Sequence, residues 1–314
     1  MVPPDILDWL LEPRDPFIRY RTLAELLGES PEDPALLEAR AAIVQSKAVA
    51  RILDRMHPEG YWLARDSAGR PVGEGVEYGS FATTHFCLAA LAELGMDKSD
   101  PRIARAADRY LDLQGEDGDY WKHMSCLYAY NLRTFFMLGL GDDPRVKRTV
   151  SLMIETERPD GGYLCDLHEG KRKTRPVRSC ARGSAKALMA YSALPGLWDS
   201  PRCVALVDYF LRRGGIYRSD DADRFVTREA AQTIFPFTWG AGLLDVLLAL
   251  STMGHGRSPR LARAWSVLEG KRDQQGRYRL DWTPTQSLLK AGRRGAPNKW
   301  ITFYALLALE RRNR

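Results

Sequence analysis

Two kinds of predicted helix alternate along the chain, and they differ in how their apolar residues are arranged. One kind carries a single apolar stripe and opens with Pro-Arg after an Asp or Ser, which suits the cap and first turn of a helix. Its four openings are Asp100-Pro101, Asp143-Pro144, Ser200-Pro201 and Ser258-Pro259. The other kind is apolar nearly all round, so it is predicted to be buried on most of its faces. These helices are predicted over 81–94, 126–140, 184–194, 241–250 and 301–309, and 15–28 has the same character.

A turn of glycine and an aromatic residue stands between each striped helix and the all-apolar helix that follows it. Asp-Gly and Gly-Gly steps supply the positive φ that a tight turn requires. The aromatic residues of these turns are Tyr61, Tyr120, Tyr163, Tyr217 and Tyr278. The chain is therefore predicted to be a repeat of helix pairs with an uneven period.

Two architectures can hold such pairs. An open solenoid would make both helices of each pair amphipathic and would prefer a stricter period. A closed double ring buries one helix of every pair and leaves the other in contact with water. The asymmetry favours the ring, and six all-apolar segments predict an all-α fold, an (α/α)6 toroid. Residues 1–314 are expected to form this one domain from about six helix pairs.

The composition fits a globular protein. With 45% hydrophobic residues the chain can bury a substantial core, and its net charge of +6 is a small excess that does not indicate nucleic-acid binding. No apolar run reaches the roughly 18 residues of a membrane helix. The best one, 242–250, is interrupted by Asp245. An odd count of five cysteines and a start without a basic, apolar leader predict a cytoplasmic protein with no transmembrane segment.

The turns resemble those of a known repeat family. Residues 114–121, QGEDGDYW, resemble the repeat of squalene–hopene cyclases and protein prenyltransferase β subunits. The whole chain, with residues 298–302 (NKWIT) opening its last helix, is similar to short bacterial prenyltransferase- or squalene-oxidase-repeat proteins. The resemblance implies an α/α toroid of the terpenoid cyclase type, whose central cavity takes an apolar, isoprenoid or phosphorylated small molecule. It implies a transferase or cyclase activity.

The catalytic motifs of those families are altered in this chain. The Asp-x-Asp-Asp acid of the cyclases has its nearest counterpart in the reordered cluster 219–223, SDDAD. The Asp-x-Cys zinc motif of the prenyltransferases has its nearest counterpart in 165–168, CDLH. A non-catalytic ligand-binding or interaction protein on the same fold is therefore the alternative to an enzyme. A lyase or hydrolase acting on sugars shares the (α/α)6 geometry, but the Gly–Tyr–Trp turns argue against it.

Ligand-binding residues are predicted at the end of the ring where the inner helices begin. Parallel inner helices place their N-termini and the long loops at this end, and helix N-termini favour anions. The basic run 171–178 is predicted to hold a phosphate there, unless it is simply a solvated loop. Aromatic residues near the helix starts could line a cavity or only fill space. The candidates are Arg172, Lys173, Arg182, Tyr128, Trp239, Lys299 and Trp300.

Three cysteines and a histidine are the candidates for a metal site. Cys126, Cys165 and Cys180 fall at neighbouring positions of the predicted rim, and His123, His168 or Asp166 could complete a tetrahedral zinc site. Unligated thiols packed among apolar helices are the alternative.

Three further residues are candidate catalytic groups. His85 lies in an all-apolar helix, Asp166 follows a rim cysteine, and Asp221 belongs to the acidic cluster. His85 or Asp166 would move a proton, and Asp221 would act as a general acid in an apolar cavity. The alternatives are a hydrogen-bonded core histidine and an exposed acidic loop.

Overall fold

The structure, a computed structural model, describes residues 3–63, 70, 83–169, 177–237, 240–284 and 288–314. Helices dominate these residues, which contain no named strand and only four isolated β-bridges. The α-helices are α1 (Pro4–Leu10), α2 (Pro16–Arg21), α3 (Pro34–Val44), α4 (Lys47–Leu53), α5 (Thr84–Glu93), α6 (Pro101–Leu111), α7 (Ser125–Met137), α8 (Pro144–Glu155), α9 (Asp166–Glu169), α10 (Ala181–Ser192), α11 (Pro201–Leu211), α12 (Leu243–Thr252), α13 (Ala262–Glu269) and α14 (Lys299–Arg312).

The inner layer consists of α2, α5, α7, α10, α12 and α14, with the π-helical turn Thr22–Leu27 extending α2. α7 packs against α5 and α10, α12 packs against α10 and α14, and α14 packs against the π-helical turn. An ion pair from Arg21 to Glu93 joins α2 to α5 and completes the circle. The predicted (α/α)6 toroid is confirmed.

The outer layer consists of α1, α3 with α4, α6, α8, α11 and α13, so inner and outer helices alternate around the ring. The caps predicted from the Pro-Arg openings are confirmed at Asp100, Asp143 and Ser200, whose side chains accept from the first turns of α6, α8 and α11. The cap predicted at Ser258 is wrong. A 3₁₀ turn, Pro259–Leu261, precedes α13 there, and the side chain of Ser258 makes no capping hydrogen bond.

The glycine of each Gly–aromatic turn lies against the next outer helix. Gly118 has φ +92°, and a Cβ there would lie 2.7 Å from the carbonyl oxygen of Arg148 in α8. The last turn closes the circle in the same way, because a Cβ at Gly276 would lie 2.5 Å from Ile6 of α1. The turns therefore require glycine both for its conformation and for close packing.

Most connections that lead into the inner helices are longer than those that lead out of them; α2 is the exception, because only residues 11–15 separate it from α1. Segments 54–83, 156–180, 212–242 and 270–298 precede inner helices, whereas 94–100, 138–143, 193–200 and 253–258 follow them. The end where the inner helices begin therefore holds most of the material available for a site. No helix among the described residues is long and apolar enough to cross a membrane.

Candidate functional site

A buried carboxylate, Glu93 of α5, is the centre of an ionic network inside the ring. Its side chain is 2% exposed, and Arg21 Nη1 donates to its Oε2 at 3.0 Å. Arg133 of α7 forms an ion pair with its Oε1 at 2.5 Å, and the hydroxyl of Tyr304 of α14 donates to its Oε2. Burial opposes ionisation of Glu93, but Arg133 and Arg21 outweigh it and hold its pKa below the ordinary value.

The same network fills the ring axis. α7 and α14 are opposite each other in the order of the inner helices, and Arg133 Nη2 reaches the hydroxyl of Tyr304 at 3.3 Å. Phe237 covers this contact, with its ring 4.6 Å from that of Tyr304 and 5.0 Å from the Arg133 guanidinium carbon. At this level side chains from opposite inner helices meet across the ring.

A second buried ion pair joins the two remaining inner helices. Lys186 of α10 donates to Asp245 Oδ1 of α12, and these side chains are 1% and 2% exposed. Asp245 Oδ2 also accepts from the backbone N–H of Gly242 at 2.9 Å, which caps α12. Burial lowers the pKa of Lys186. Every inner helix therefore places at least one ionisable side chain inside the ring, and the set that forms ion pairs or hydrogen bonds there is Arg21, Glu93, Arg133, Lys186, Asp245 and Tyr304.

Aromatic side chains form a layer between this network and the end where the inner helices begin. Phe86, Ala89 and Tyr130 form a buried apolar cluster separate from the main core, and the two rings lie 5.7 Å apart. Phe86 precedes Glu93 by two helical turns on α5, and Tyr130 precedes Arg133 by one turn on α7. The interior thus has an aromatic layer, formed by Phe86 and Tyr130, towards the loop-rich end. Beneath it lies a charged floor, which consists of the paired side chains Arg21, Glu93, Arg133, Tyr304, Lys186 and Asp245.

The predicted ligand-binding residues are distributed over several places. Arg182 makes a two-bond ion pair with Glu229, and Trp300 stacks on Phe235 at 4.3 Å. Lys299 donates to Glu12 at 2.8 Å and to Asp15, so it ties α14 to the segment between α1 and α2. Tyr128 is fully buried near Thr156 and Arg202, on the side of α7 that faces the outer layer. The other three candidates, Arg172, Lys173 and Trp239, lie outside the described residues.

The three candidate catalytic residues do not meet. His85 is buried between α5 and α6, with its ring 5.9 Å from that of Tyr110 and its Nδ1 3.4 Å from Thr83 Oγ1. Asp221 accepts from the backbone N–H of Asp223 in the loop after α11. Asp166 is exposed and engaged by His123.

The three candidate cysteine ligands lie in different local environments. Cys165 Sγ lies 2.9 Å from Nδ1 of His168, and burial raises the pKa of the Cys165 thiol. Cys180 is the N-cap residue of α10, and Cys126 lies at the start of α7 with partial exposure. No group of three His, Cys, Asp or Glu side chains able to hold a metal ion occurs among the described residues. The zinc site remains a prediction that their arrangement does not support.

His123 is held between two carboxylates. Its Nδ1 lies 2.8 Å from Asp166 Oδ2, and its Nε2 lies 2.8 Å from Asp117 Oδ2. The backbone reaches this position through positive φ at Lys122 and His123. The bond to Asp166, opposed by burial and aided by Asp117, raises the pKa of His123. Both ring nitrogens donate in this arrangement, so the imidazolium form is the one that fits.

The two contacts of His123 with Asp117 and Asp166, here called the His123 clamp, make the stability of the fold decrease as the pH rises. The pKa of His123 is higher in the folded state than in the unfolded state, where it is about 6.5. The clamp therefore contributes fully to the free energy of unfolding below the unfolded-state pKa, and this contribution is lost as the pH rises through the folded-state pKa. We expect His123→Gln to lower the melting temperature more at pH 6 than at pH 9. Thermal unfolding of both proteins across this range measures the difference. An equal difference at both pH values would show that the charged clamp is absent.

Comparison with known proteins identifies the fold and no family. The sequence matches no protein-family model, and no curated protein matches it significantly. A glycosyl hydrolase family 88 protein from Bacteroides vulgatus is 12% identical, with a TM-score of 0.52 over 98% of this chain and 97% of that chain. A polysaccharide lyase is 15% identical, with a TM-score of 0.52 over 98% and 95% of the two chains. These likenesses show the α/α toroid and nothing finer. The type II terpene cyclase MstE from Scytonema is 15% identical over 86% and 97%, but its TM-score of 0.34 carries no argument.

The ionic network was missed by the sequence reasoning, although a signal for it was present. Each all-apolar segment contains an ionisable residue, and one of these is Asp245, which interrupts the apolar run 242–250. A single charge inside such a helix is costly to bury unless it is paired. One charge in each of several neighbouring inner helices therefore predicts that they pair with one another inside the ring.

Proposed function

We propose that the interior of the ring, on the side where the inner helices begin, binds a small molecule. The observation that carries this proposal is the set of buried ionisable side chains contributed by all six inner helices. A ring held together only by packing would be cheaper to build with apolar inner faces, because burying an ion pair gains little or nothing in stability. Buried charges with shifted pKa values gather at functional sites more often than elsewhere.

The ligand that fits this interior has an apolar or flat body and a polar head. Phe86 and Tyr130 offer aromatic faces, and Arg133 and Lys186 offer donors beneath them. An isoprenoid or other apolar compound that carries a phosphate has this form, which agrees with the resemblance of the turns to cyclase and prenyltransferase repeats. A cyclase or transferase activity is the corresponding enzymatic proposal, and ligand binding without chemistry is the alternative.

Saccharides are a second candidate class. Two structures of similar fold are a glycosyl hydrolase and a polysaccharide lyase, each with a TM-score of 0.52. Aromatic faces combined with charged hydrogen-bonding groups also suit a sugar ring. Fold likeness alone does not fix function, so both classes belong in the same test.

Thermal unfolding of the full chain with geranyl diphosphate, a neutral oligosaccharide and a uronate-containing oligosaccharide tests this proposal. A ligand at 100 times its dissociation constant stabilises the folded state by about 2.7 kcal/mol, so at least one class should raise the melting temperature. Phe86→Leu should weaken that binding. Phe135→Leu is the matched control, because Phe135 lies on the same inner layer but packs against Tyr110 of the outer helix α6. No stabilisation by any class at millimolar concentration would contradict the proposal.

A further inference from the structure

The strongest unexplained feature of the interior is a surplus of hydrogen-bond donors. Lys186 has three N–H groups, but Asp245 is its only hydrogen-bond partner among the described residues. Arg133 has five N–H groups, and within the described part of the chain only Glu93 and Tyr304 receive them. The Lys186 side chain is 1% exposed and that of Arg133 is 12% exposed, so bulk water reaches these donors only in part.

Tyr130 adds a third donor at the same place. Its side chain is 4% exposed, and its hydroxyl has no hydrogen-bond partner among the residues that the structure describes. Tyr130 lies one helical turn from Arg133 on α7, and α7 packs extensively against α10. Lys186 belongs to α10, the neighbour of α7 in the ring. The three side chains therefore lie on two adjacent helices of the inner layer.

The carboxylates nearby are already paired with these cations. Glu93 accepts from Arg21 and Tyr304 and pairs with Arg133, while Asp245 accepts from Lys186 and from the backbone of Gly242. What remains is an excess of N–H and O–H groups, two of them on cationic side chains. A group that brings several acceptor oxygens and a negative charge matches this excess, and such charge-assisted bonds are stronger than neutral ones.

We propose that Tyr130, Arg133 and Lys186 form an oxyanion subsite inside the ring, which holds the phosphate or carboxylate head of the ligand. This inference rests on the proposed function, and it differs from the sequence prediction that the basic run 171–178 at the rim holds the anion. The head group lies against the charged floor in this arrangement, and the body of the ligand lies in the aromatic layer above it. The subsite takes a phosphate or a carboxylate, and titration with one probe of each kind distinguishes these two head groups.

Calorimetric titration of the full chain with inorganic pyrophosphate and with glucuronate, at constant ionic strength, tests the subsite. We expect Tyr130→Phe to raise the dissociation constant of the bound probe about threefold to tenfold, because it removes one hydrogen bond to a charged group. Its melting temperature without anion should stay near that of the native chain, since the hydroxyl has no partner to lose. Tyr128→Phe is the matched control, because it removes a buried hydroxyl on the other side of α7 and should leave binding unchanged.

A second variant removes the cation without leaving a buried charge unpaired. Lys186→Met combined with Asp245→Asn should weaken anion binding about tenfold or more, and Lys147→Met, which removes an exposed lysine, should not. If the double variant does not fold, Tyr130→Phe alone decides. Two results together would overturn the subsite and leave the proposed function intact. Anion binding would be unchanged in Tyr130→Phe and in the folded double variant, and it would be lost in Arg172→Ala/Lys173→Ala. Stabilisation by neutral ligands with no anion binding at all would do the same.

Discussion

Replacing Glu93 with glutamine is expected to reduce the free energy of unfolding by about 3–5 kcal/mol. Glu93 is the only carboxylate among the described residues that pairs with both Arg21 and Arg133. Glutamine keeps the size of the side chain and can still accept one hydrogen bond, but it removes the negative charge. Two buried guanidinium groups then lose their shared counter-charge in a site that water barely reaches.

The matched control for this variant is Glu25→Gln. Glu25 pairs with Arg21 at the edge of the same network, but its side chain is 31% exposed. An ion pair open to solvent contributes about 1 kcal/mol or less, so the control should lose little stability. Urea unfolding of the three proteins gives the two differences directly. Equal and small losses in both variants would show that Glu93 is hydrated, and the closed floor of the ring would be wrong.

Replacing Gly161 with alanine is expected to cost about 2–5 kcal/mol of stability. Gly161 has φ +80°, and a Cβ there would lie 2.5 Å from the backbone carbonyl oxygen of Ala205 in α11. A backbone atom cannot rotate out of the way as a flexible side chain can. The turn is also fixed from the other side, because Arg202 donates to the carbonyl oxygens of Gly161 and Gly162 at 2.9 and 2.7 Å.

Gly254→Ala separates the two causes of that loss. Gly254 has nearly the same backbone conformation, φ +82°, but nothing lies within 4 Å of the position of its Cβ. Its alanine variant should therefore lose only the conformational part, about 1–2 kcal/mol. Denaturant unfolding of both variants measures the remainder, which is the packing of the turn on the next outer helix. Equal losses would mean that the turn does not pack as closely as described.

The layer pattern of the fold was predictable from the sequence because the two kinds of helix differ in composition. A helix with one apolar stripe belongs to the outside of a double ring, and one that is apolar all round belongs to the inside. The caps at Asp100 and Asp143 could be predicted for a local reason, since a capping side chain bonds to backbone only a few residues away. Such features depend on the chain near each residue.

The direction of each side chain in the inner layer could not be predicted in the same way. A helix that is apolar all round shows no face, so nothing in the pattern distinguished Tyr128, which faces the outer layer, from Tyr130, which faces the interior. His85 was assigned to the site for the same reason, although it packs against the outer helix α6. The identity of these residues was visible, but their placement depends on how neighbouring helices pack around the ring.

The pairing of His123 was also beyond the sequence pattern. Its clamp depends on positive φ at Lys122 and His123, which neither residue type prefers, and on an aspartate 43 residues further along the chain. The zinc prediction treated His123 as available for a metal. In the structure its two ring nitrogens are engaged by Asp117 and Asp166, which leaves no nitrogen for a ligand bond.

An oxyanion-bearing ligand is proposed to bind inside the ring, against its charged floor. Crystals of the full chain soaked in selenate, an oxyanion that can be located by the anomalous scattering of selenium, show where such a group binds. We expect the principal anomalous peak within hydrogen-bond distance of Lys186 Nζ and the Arg133 guanidinium, and the same peak should disappear in the Lys186→Met/Asp245→Asn variant. A principal peak beside the basic residues of the run 171–178 or on the outer surface, with none inside the ring, would contradict this proposal.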